Sequence, residues 1–320
     1  MKSYANSDSS SEVFSGGKFG GITLAFSAIA SAAATALTEA AIDTFQISIG
    51  VTLQRVVNGK QVNHTILEKQ ALKPIIFASA IKTGIFGYWS PANTSNNGYT
   101  IRLAQAAGVN EIGEKYAYIP FGGVVDCTGE NGGKIIVETN VRSLFGSTTN
   151  TSTSKVIVDL KEVEGMETYV PRINTEVVPT NQQTIGFAFS EPIRRLSIVN
   201  FDKTTLLTAD MVLQGVNLQS EQMAYDYNDQ QMIMFNVEQY SNLTDGENAL
   251  QNFDLLPFSP SKTYTDVKGT ISLQSADVAA SQNFIVYWGA KSTIGSELQF
   301  NRALKLNQTL ATTFQQSATA

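Results

Sequence analysis

The chain has 320 residues and a mass of 34.6 kDa, which is enough for two ordinary domains or one large β domain. Charged residues make up 16% of the sequence and hydrophobic residues 42%, a balance that argues against intrinsic disorder. With a single histidine, His64, and a single cysteine, Cys127, the chain excludes an internal disulfide and any zinc site built from several histidines. We therefore expect no cofactor and no metal.

The net charge of −6 comes entirely from the second half of the chain. Residues 1–165 contain 13 basic and 13 acidic residues, whereas residues 166–320 contain 9 and 15. No run of Lys or Arg occurs anywhere. Proteins that read or coat nucleic acid need a basic surface to neutralise phosphates, so direct sequence-specific contact with nucleic acid is not expected. Membrane attachment through a polybasic segment is equally unsupported.

The first twenty residues are polar and rich in Ser and Gly, which predicts a flexible N-terminal arm over residues 1–20. The Gly-rich segment 15–21 lacks the spacing of a phosphate-binding loop and is interpreted as a hinge. Residues 19–38 carry no charge, and their alternation predicts a strand that places Ile22, Leu24 and Phe26 on one face. A secretory leader that ends near residues 30–32 remains an open alternative.

Strands dominate the rest of the pattern. The clean alternation from Phe45 to Leu53 predicts a half-buried strand, and Asn58-Gly59 predicts the turn of a hairpin. Further strands are predicted at Tyr99–Leu103, Lys134–Val137, Lys155–Leu160, Thr184–Phe189, Arg195–Val199, Met232–Val237, Gly269–Leu273 and Phe284–Trp288. Helical periodicity is scarce, with short candidates at Tyr99–Ala107, Thr208–Leu213 and Glu297–Phe314.

Residues 166–180 contain charges and prolines and are predicted to link two β domains, at 21–165 and 181–292, followed by a C-terminal tail at 293–320. Two pairs of strands support this division. The strand at Lys134 precedes the one at Gly269 by about 135 residues, and the strand at Lys155 precedes the one at Asn283 by about 130. Regular strands with Gly, Asn and Pro between them predict an all-β sandwich or barrel architecture.

No residue stands out as catalytic. The acidic segments 226–229 and 244–248 lack calcium-loop spacing and are explained by turn chemistry. His64 is interpreted as a solvent-facing loop residue, and Cys127 as a small, half-buried side chain rather than a nucleophile. The basic doublet Arg194-Arg195 is assigned to an interface ion pair.

A polar N-terminal arm, two consecutive β domains of about 130–150 residues joined by Met166–Pro179, and a tail rich in Gln, Thr and Ala form a recognisable arrangement. This arrangement resembles the double jelly-roll major capsid proteins of tailless, icosahedral viruses with an internal membrane. In length and strand-rich segments it is most similar to those of lipid-containing phages of Flavobacterium. The resemblance implies an all-β fold of two consecutive eight-stranded jelly-roll β-barrels, with short helices in the connections, and a structural, non-enzymatic role.

The resemblance also implies how such a chain assembles. Three copies would form a pseudo-hexameric capsomer, and capsomers would tile an icosahedral shell around a membrane and genome in the virion, after assembly in the host cytoplasm. The implied partners are the chain itself, neighbouring capsomers, penton or minor capsid proteins and the internal lipid membrane. The loops at 91–98 and 146–154 would project outward or seal neighbouring capsomers. The tail is predicted to order against another copy or the membrane-facing side through Phe300, Leu304, Leu306 and Phe314.

The main alternative is a secreted bacterial β-sandwich adhesin or carbohydrate-binding module. It would use residues 19–38 as a leader and bind glycans in a groove lined by aromatic residues such as Tyr225, Tyr227 and Tyr240. A glycoside hydrolase ranks third, because such enzymes need two carboxylates about 5–9 Å apart and no pair in the sequence is preferred.

Overall fold

Strands make up most of the part of the chain that the structure describes. In this computed structural model the described residues are 1–29, 44–57, 59–79, 99–102, 112–129, 133–145, 153–178, 182–202, 211–221, 224–228, 249–250, 252–256, 263–273 and 281–291. They form eighteen strands and one short helix, α1, at Lys73–Ser79. The strands are β1 Lys2–Tyr4, β2 Ser9–Ser15, β3 Lys18–Ile29, β4 Gln46–Val57, β5 Lys60–Ala71, β6 Tyr99–Arg102, β7 Ile112–Asp126, β8 Lys134–Ser143, β9 Lys155–Glu162, β10 Val170–Val177, β11 Thr184–Phe189, β12 Ile193–Asp202, β13 Met211–Gln219, β14 Ala224–Asn228, β15 Ala249–Leu250, β16 Asn252–Leu256, β17 Val267–Leu273 and β18 Ser281–Lys291.

Sixteen of these strands fall into two groups of eight with the same topology. In the first group, β1-β9-β3-β7 form one sheet and β2-β8-β4-β5 the other, with β6 added beside β7. In the second group, β10-β18-β12-β16 form one sheet and β11-β17-β13-β14 the other, with β15 paired to β13. Numbered from first to eighth within each group, both follow the orders 1-8-3-6 and 2-7-4-5. We call the groups the first and second roll, and name each sheet by its strand order.

The two rolls share one continuous sheet. Strand β5, at the edge of the first roll's 2-7-4-5 sheet, pairs in parallel with β10 of the second roll's 1-8-3-6 sheet, where Leu67 lies opposite Ile173. The result is an eight-stranded sheet that runs through both rolls. The two rolls are therefore not separate domains joined only by a linker.

The predicted strands and their spacing are largely confirmed. The alternating residues Ile47, Ile49, Val51 and Leu53 are buried on β4, and β4 turns into β5 at Gly59, whose φ of 76° suits the predicted tight turn. The two long spacings in the sequence match equivalent strands. Strands β8 and β17 are the seventh of their rolls, and β9 and β18 are the eighth.

Two segments predicted to be irregular are strands instead. The N-terminal arm contains β1, which pairs with β9, and β2, which pairs with β8, so these residues supply the first two strands of the first roll. The linker contains β10, which pairs along its whole length with β18. Both predictions were wrong because β1 and β2 are largely polar, and the apolar residues Val170, Ile173 and Val177 of β10 do not alternate as in a half-buried strand.

The helix predictions also need correction. Residues 99–102 form strand β6, and Met211–Leu213 open strand β13, so the helical alternatives there are wrong in the described residues. Helix α1 was not anticipated, because its seven residues are too few to show helical periodicity. The helical candidate Glu297–Phe314 and the predicted strand Met232–Val237 lie outside the described residues.

The uncharged segment that begins at Phe19 enters the fold as strand β3. Its residues Ile22, Leu24 and Phe26 are buried as predicted, and β3 lies between β9 and β7. Cleavage near residue 32 would remove the third strand from the middle of this sheet, which argues against the leader interpretation. In the described residues, no helix is long and apolar enough to span a membrane.

A first prediction concerns the N-terminal strands. Tyr4 is only 1% exposed, and its hydroxyl donates to the Glu12 carboxylate at 3.0 Å. We expect Tyr4→Ala to lower the free energy of unfolding by about 3–5 kcal/mol, the usual cost of deleting a large buried aromatic ring. Urea denaturation followed by circular dichroism measures this loss. The neighbouring Ser3→Ala is the control, because Ser3 is exposed. Equal stability of the two variants would mean that the first residues are a loose arm after all.

Candidate functional site

Strand β12 is buried on both faces. Every residue from Ile193 to Phe201 is buried, although a strand at the surface of a sandwich normally buries alternate residues. Leu196 and Ile198 belong to the core of the second roll, whereas Val199 and Phe201 pack into the core of the first roll. One strand therefore contributes to two cores.

Strand β18, which pairs with β12, is divided in the same way. Ile285 and Tyr287 face the core of the second roll, while Val286 and Trp288 pack with the first. The 1-8-3-6 sheet of the second roll thus has one surface on its own core and the other against helix α1 and strand β7 of the first roll. We call this second contact the roll–roll interface.

Polar and aromatic groups orient the roll–roll interface. The Trp288 indole Nε1 donates to the Pro120 carbonyl at 2.8 Å, and Arg195 Nη2 donates to the Ala78 carbonyl, at the end of α1, at 2.6 Å. The Arg195 guanidinium lies 4.7 Å from the centre of the Trp288 ring. The side chain of Arg195 is fully buried, so its hydrogen bond and its cation–π contact act in a water-excluded setting.

Aromatic rings complete the same interface. Phe77 of α1 meets Phe201 of β12 edge to face, with ring centroids 5.5 Å apart, and Phe201 meets Phe284 of β18 at 5.6 Å. Such pairs contribute about 0.5–1.5 kcal/mol beyond the area they bury. A hydrophobic contact with directional polar bonds at its centre holds two units at one relative orientation.

Tyr169 connects the chain between the rolls to both of them. Its hydroxyl donates to the Gly122 carbonyl. Its ring packs so closely on Gly123 that a Cβ atom there would lie only 2.9 Å from the nearest ring atom. The Arg194 guanidinium of the second roll stacks 4.6 Å from the ring centre. Burial raises the pKa of Tyr169 to about 12, against a smaller opposing effect of Arg194. The tyrosine is therefore un-ionised at neutral pH.

A buried ion pair fastens the same connecting segment to the first roll. Arg55 donates to both carboxylate oxygens of Glu167, at 2.6 and 2.5 Å, and also to the Asp126 carbonyl at 2.7 Å. The Asp126 amide donates to Glu167 at 2.7 Å. The side chains of Arg55 and Glu167 are 4% and 5% exposed. Such two-pronged, water-excluded geometry is far more specific than a surface pair.

The neighbouring Asp126 carboxylate is held in its charged form. Burial alone would raise its pKa, but hydrogen bonds from the Thr128 hydroxyl and amide, together with the Lys18 ammonium 3.5 Å away, lower the pKa below its ordinary value. Because this pKa is depressed in the folded chain, Asp126 stabilises the fold above its unfolded pKa. That stabilisation is lost as the pH falls through the folded pKa.

The basic doublet lies between the two rolls. Arg194 and Arg195 are buried, and the contacts described above place them between the rolls of one chain, with a tyrosine ring, an indole ring and a backbone carbonyl. The expectation of a solvent-facing His64 is wrong: His64 is buried on β5, at 6% exposure. Strand β5 continues well past the hairpin turn, which brings His64 into the sheet.

The cysteine and the acidic segments considered in the sequence analysis form no metal-binding group in the described residues. Cys127 is buried, and burial raises the pKa of its thiol to about 11, so the nucleophilic thiolate is scarce at neutral pH. In the described part of the chain, no group of three or more His, Cys, Asp or Glu residues could hold a metal. Asp226 is exposed on β14, while 229 and 244–248 lie outside the described residues.

Most of the residues predicted to bind glycans or neighbouring copies lie outside the described residues. Tyr225 and Tyr227 belong to strand β14, and Tyr240 lies outside the described residues. The predicted tail contacts, Phe300, Leu304, Leu306 and Phe314, also lie outside them, as do the 91–98 loop and most of 146–154.

Comparison with solved structures identifies the architecture, although no family model and no curated protein matches the sequence. The crystal structure of the major capsid protein of Sulfolobus Turreted Icosahedral Virus aligns with a TM-score of 0.54 and 10% identity, over 91% of this chain and 95% of that one. A chain of the atomic structure of that virus aligns with a TM-score of 0.50 and 10% identity, over 91% and 88%. The chain has a double jelly-roll fold.

A third structure, the major capsid protein P2 from bacteriophage PM2, aligns at 10% identity over 89% of this chain and 93% of that one, with a TM-score of 0.45. The fold rests on the first two alignments and on the repeated strand order. The predicted fold class, an all-β chain of two consecutive jelly rolls, is confirmed. Helix α1 lies in the connection between β5 and β6, and the expectation of short helices in the connections did not give its position.

A second prediction tests the buried ion pair. We expect Glu167→Gln to lower the free energy of unfolding by about 3 kcal/mol or more, because it leaves the Arg55 cation buried without its countercharge. Urea denaturation measures the change. Glu164→Gln is the matched control on the same connecting segment, since Glu164 is exposed. If both variants unfold at the same urea concentration, the pair does not fasten this segment.

Proposed function

We propose that this chain is a structural major capsid protein that assembles as a homotrimeric, pseudo-hexameric capsomer in an icosahedral shell. The observation that carries the proposal is the pair of rolls with one strand order, held together by a buried interface within a single chain. Three copies of such a chain present six similar rolls, which suits a hexagonal outline. The likeness to the capsid protein of the turreted virus spans nearly the whole of both chains and supports the same role.

The proposed mechanism is association, with no bond made or broken in a substrate. Only 16% of the residues are charged, so copies can pack side by side with little desolvation cost and little repulsion. Obligate contacts within a capsomer are expected to bury several thousand Å². Weaker contacts between capsomers would let misplaced units dissociate and bind again.

The wider assembly is part of the same proposal. The chain would reside in the virion after assembly in the host cytoplasm, around an internal lipid membrane, with penton or minor capsid proteins as further partners. From the resemblance of the sequence, the proposed virus class is a membrane-containing phage like those of Flavobacterium. The acidic second half agrees with an indirect relation to the genome. The tail, through Phe300, Leu304, Leu306 and Phe314, would contact another copy or the membrane side.

A third prediction tests this function. Size-exclusion chromatography with light scattering on the purified chain should give the mass of three 34.6 kDa chains. Negative-stain images of the same peak should show particles with a hexagonal outline. A monomer that binds glycans would contradict the proposal and favour the adhesin or carbohydrate-binding alternative.

A further inference from the structure

Strand β2 is the longest strand at the end of a sheet in the described part of the chain. The three sheets end in β1 and β6, in β16 and β2, and in β11 and β14. Strand β2 spans seven residues, and the other five span three to six. One side of β2 pairs with β8, and its other side pairs with no strand of the described residues. We call that side the free edge. Its backbone N–H and C=O groups form a row onto which another strand can add.

Strand β2 lacks most of the features that protect the edge of a sheet. Proteins discourage strand addition with a very short edge strand, with Lys or Pro, with a β-bulge, or with a charged side chain that points inward. The sequence of β2 contains neither Lys nor Pro, and its register with β8 is continuous from Ser9 to Ser15. Val13, on the outer side of β2, is 59% exposed. Of these features, β2 can rely only on an inward charge.

Glu12 supplies that charge from the middle of β2. Phe14, two residues further on, packs against the core of the first roll, and alternation along the strand places Glu12 on the same side. Glu12 lies opposite Val137 of β8, which is buried. The hydroxyl of Tyr4, on the facing sheet, donates to the Glu12 carboxylate at 3.0 Å. In the described part of the chain, Glu12 belongs to no ion pair.

The position of β2 in the roll does not require a carboxylate. Strand β11 is the second strand of the second roll, as β2 is of the first. The inward residues of β11 are Ile185, Phe187 and Phe189, and all three are buried. Glu12 therefore departs from the apolar pattern of its counterpart and gives up apolar burial in the core.

We propose that Glu12 guards the free edge of β2 against pairing with a strand of another chain. An added strand would place an inward residue beside Glu12, with the two Cβ atoms about 4.5–5.5 Å apart. That residue would exclude water from a carboxylate that no cation of the described residues neutralises, which is strongly unfavourable. Two copies that paired through β2 would also bring two such carboxylates together.

The guard prevents open-ended growth of the sheet from one chain to the next. Copies of the chain are then left to associate through side-chain surfaces. This inference goes beyond the proposed function, because it concerns the single subunit and holds for any assembly that the chain forms.

The first test removes the charge and keeps the shape of the side chain. Glu12→Gln retains an oxygen that can accept from Tyr4. Glu138→Gln is the matched control, because it changes the net charge equally, and Glu138 is 54% exposed on the neighbouring strand β8. In concentrated solutions of the full chain, we expect Glu12→Gln to form β-rich aggregates several-fold faster than Glu138→Gln or the wild type. Thioflavin T fluorescence and light scattering give the rates, and circular dichroism and the melting temperature establish that the variants fold.

The second test restores protection by a different means. Adding Val13→Lys to Glu12→Gln places a lysine on the edge strand, which should return the aggregation rate to that of the wild type. Adding Val56→Lys instead is the control. Val56 is 52% exposed, but it lies on β4, which has β5 and β8 on its two sides, so the double variant should still aggregate. Hydrogen exchange should be several-fold slower for the β2 amides in the aggregate than in the soluble chain.

Each remaining outcome would overturn the proposal. A folded Glu12→Gln variant that stays as soluble as Glu138→Gln would show that the charge guards nothing. Equal rescue by the two lysines would assign the effect to net charge, and aggregation that neither lysine reverses would assign it to loss of folding. Unprotected β2 amides in the aggregate would place the contact elsewhere. Capsomer formation is tested separately, by the mass of the wild-type chain in solution.

Discussion

Burial of β12 and β18 on both faces links the two halves of this molecule. Side chains that alternate along these strands fill two different cores, so the second roll cannot separate from the first without exposing Val199, Phe201, Val286 and Trp288 to water. Full burial of one large apolar side chain stabilises a fold by about 1.5–3 kcal/mol. Hinge motion between the rolls would therefore be costly.

Directional bonds add orientation to this hydrophobic contact. Arg195 reaches from β12 to the end of α1, Trp288 reaches from β18 to Pro120, and Tyr169 lies between Gly122 and Arg194. The Arg55–Glu167 pair then fixes the segment between the rolls to the first roll. The proposed capsid role would require this property, because small errors in the angle between rolls accumulate around a ring.

The sequence predicted the strands well where one face is buried. The alternation at 45–53 matches β4, and the spacings of about 130 and 135 residues pair equivalent strands of the two rolls. Strands β1 and β2 were missed, since their polar residues carry little alternation and they take their order from β9 and β8. Strand β10 was missed because its apolar residues Val170, Ile173 and Val177 do not alternate.

The roll–roll interface was only partly predictable. The unbroken apolar run at 284–288 is typical of a strand buried on both faces, and the Arg194-Arg195 doublet opens the strand beside it. Both signals were available, but neither says which surface covers the strand. Glu167 carries no local signal, because its partner Arg55 is 112 residues away in the chain.

Hydrogen exchange tests the central claim that the two rolls form one unit through this interface. Phe201→Ala removes a ring that contacts Phe77 of the first roll and Phe284 of the second, so amide exchange should become faster in α1 as well as in β12 and β18. Phe187→Ala is the control, because Phe187 packs only in the core cluster of the second roll, and its effect should stay within that roll. Faster exchange confined to the second roll in the Phe201→Ala variant would contradict the claim.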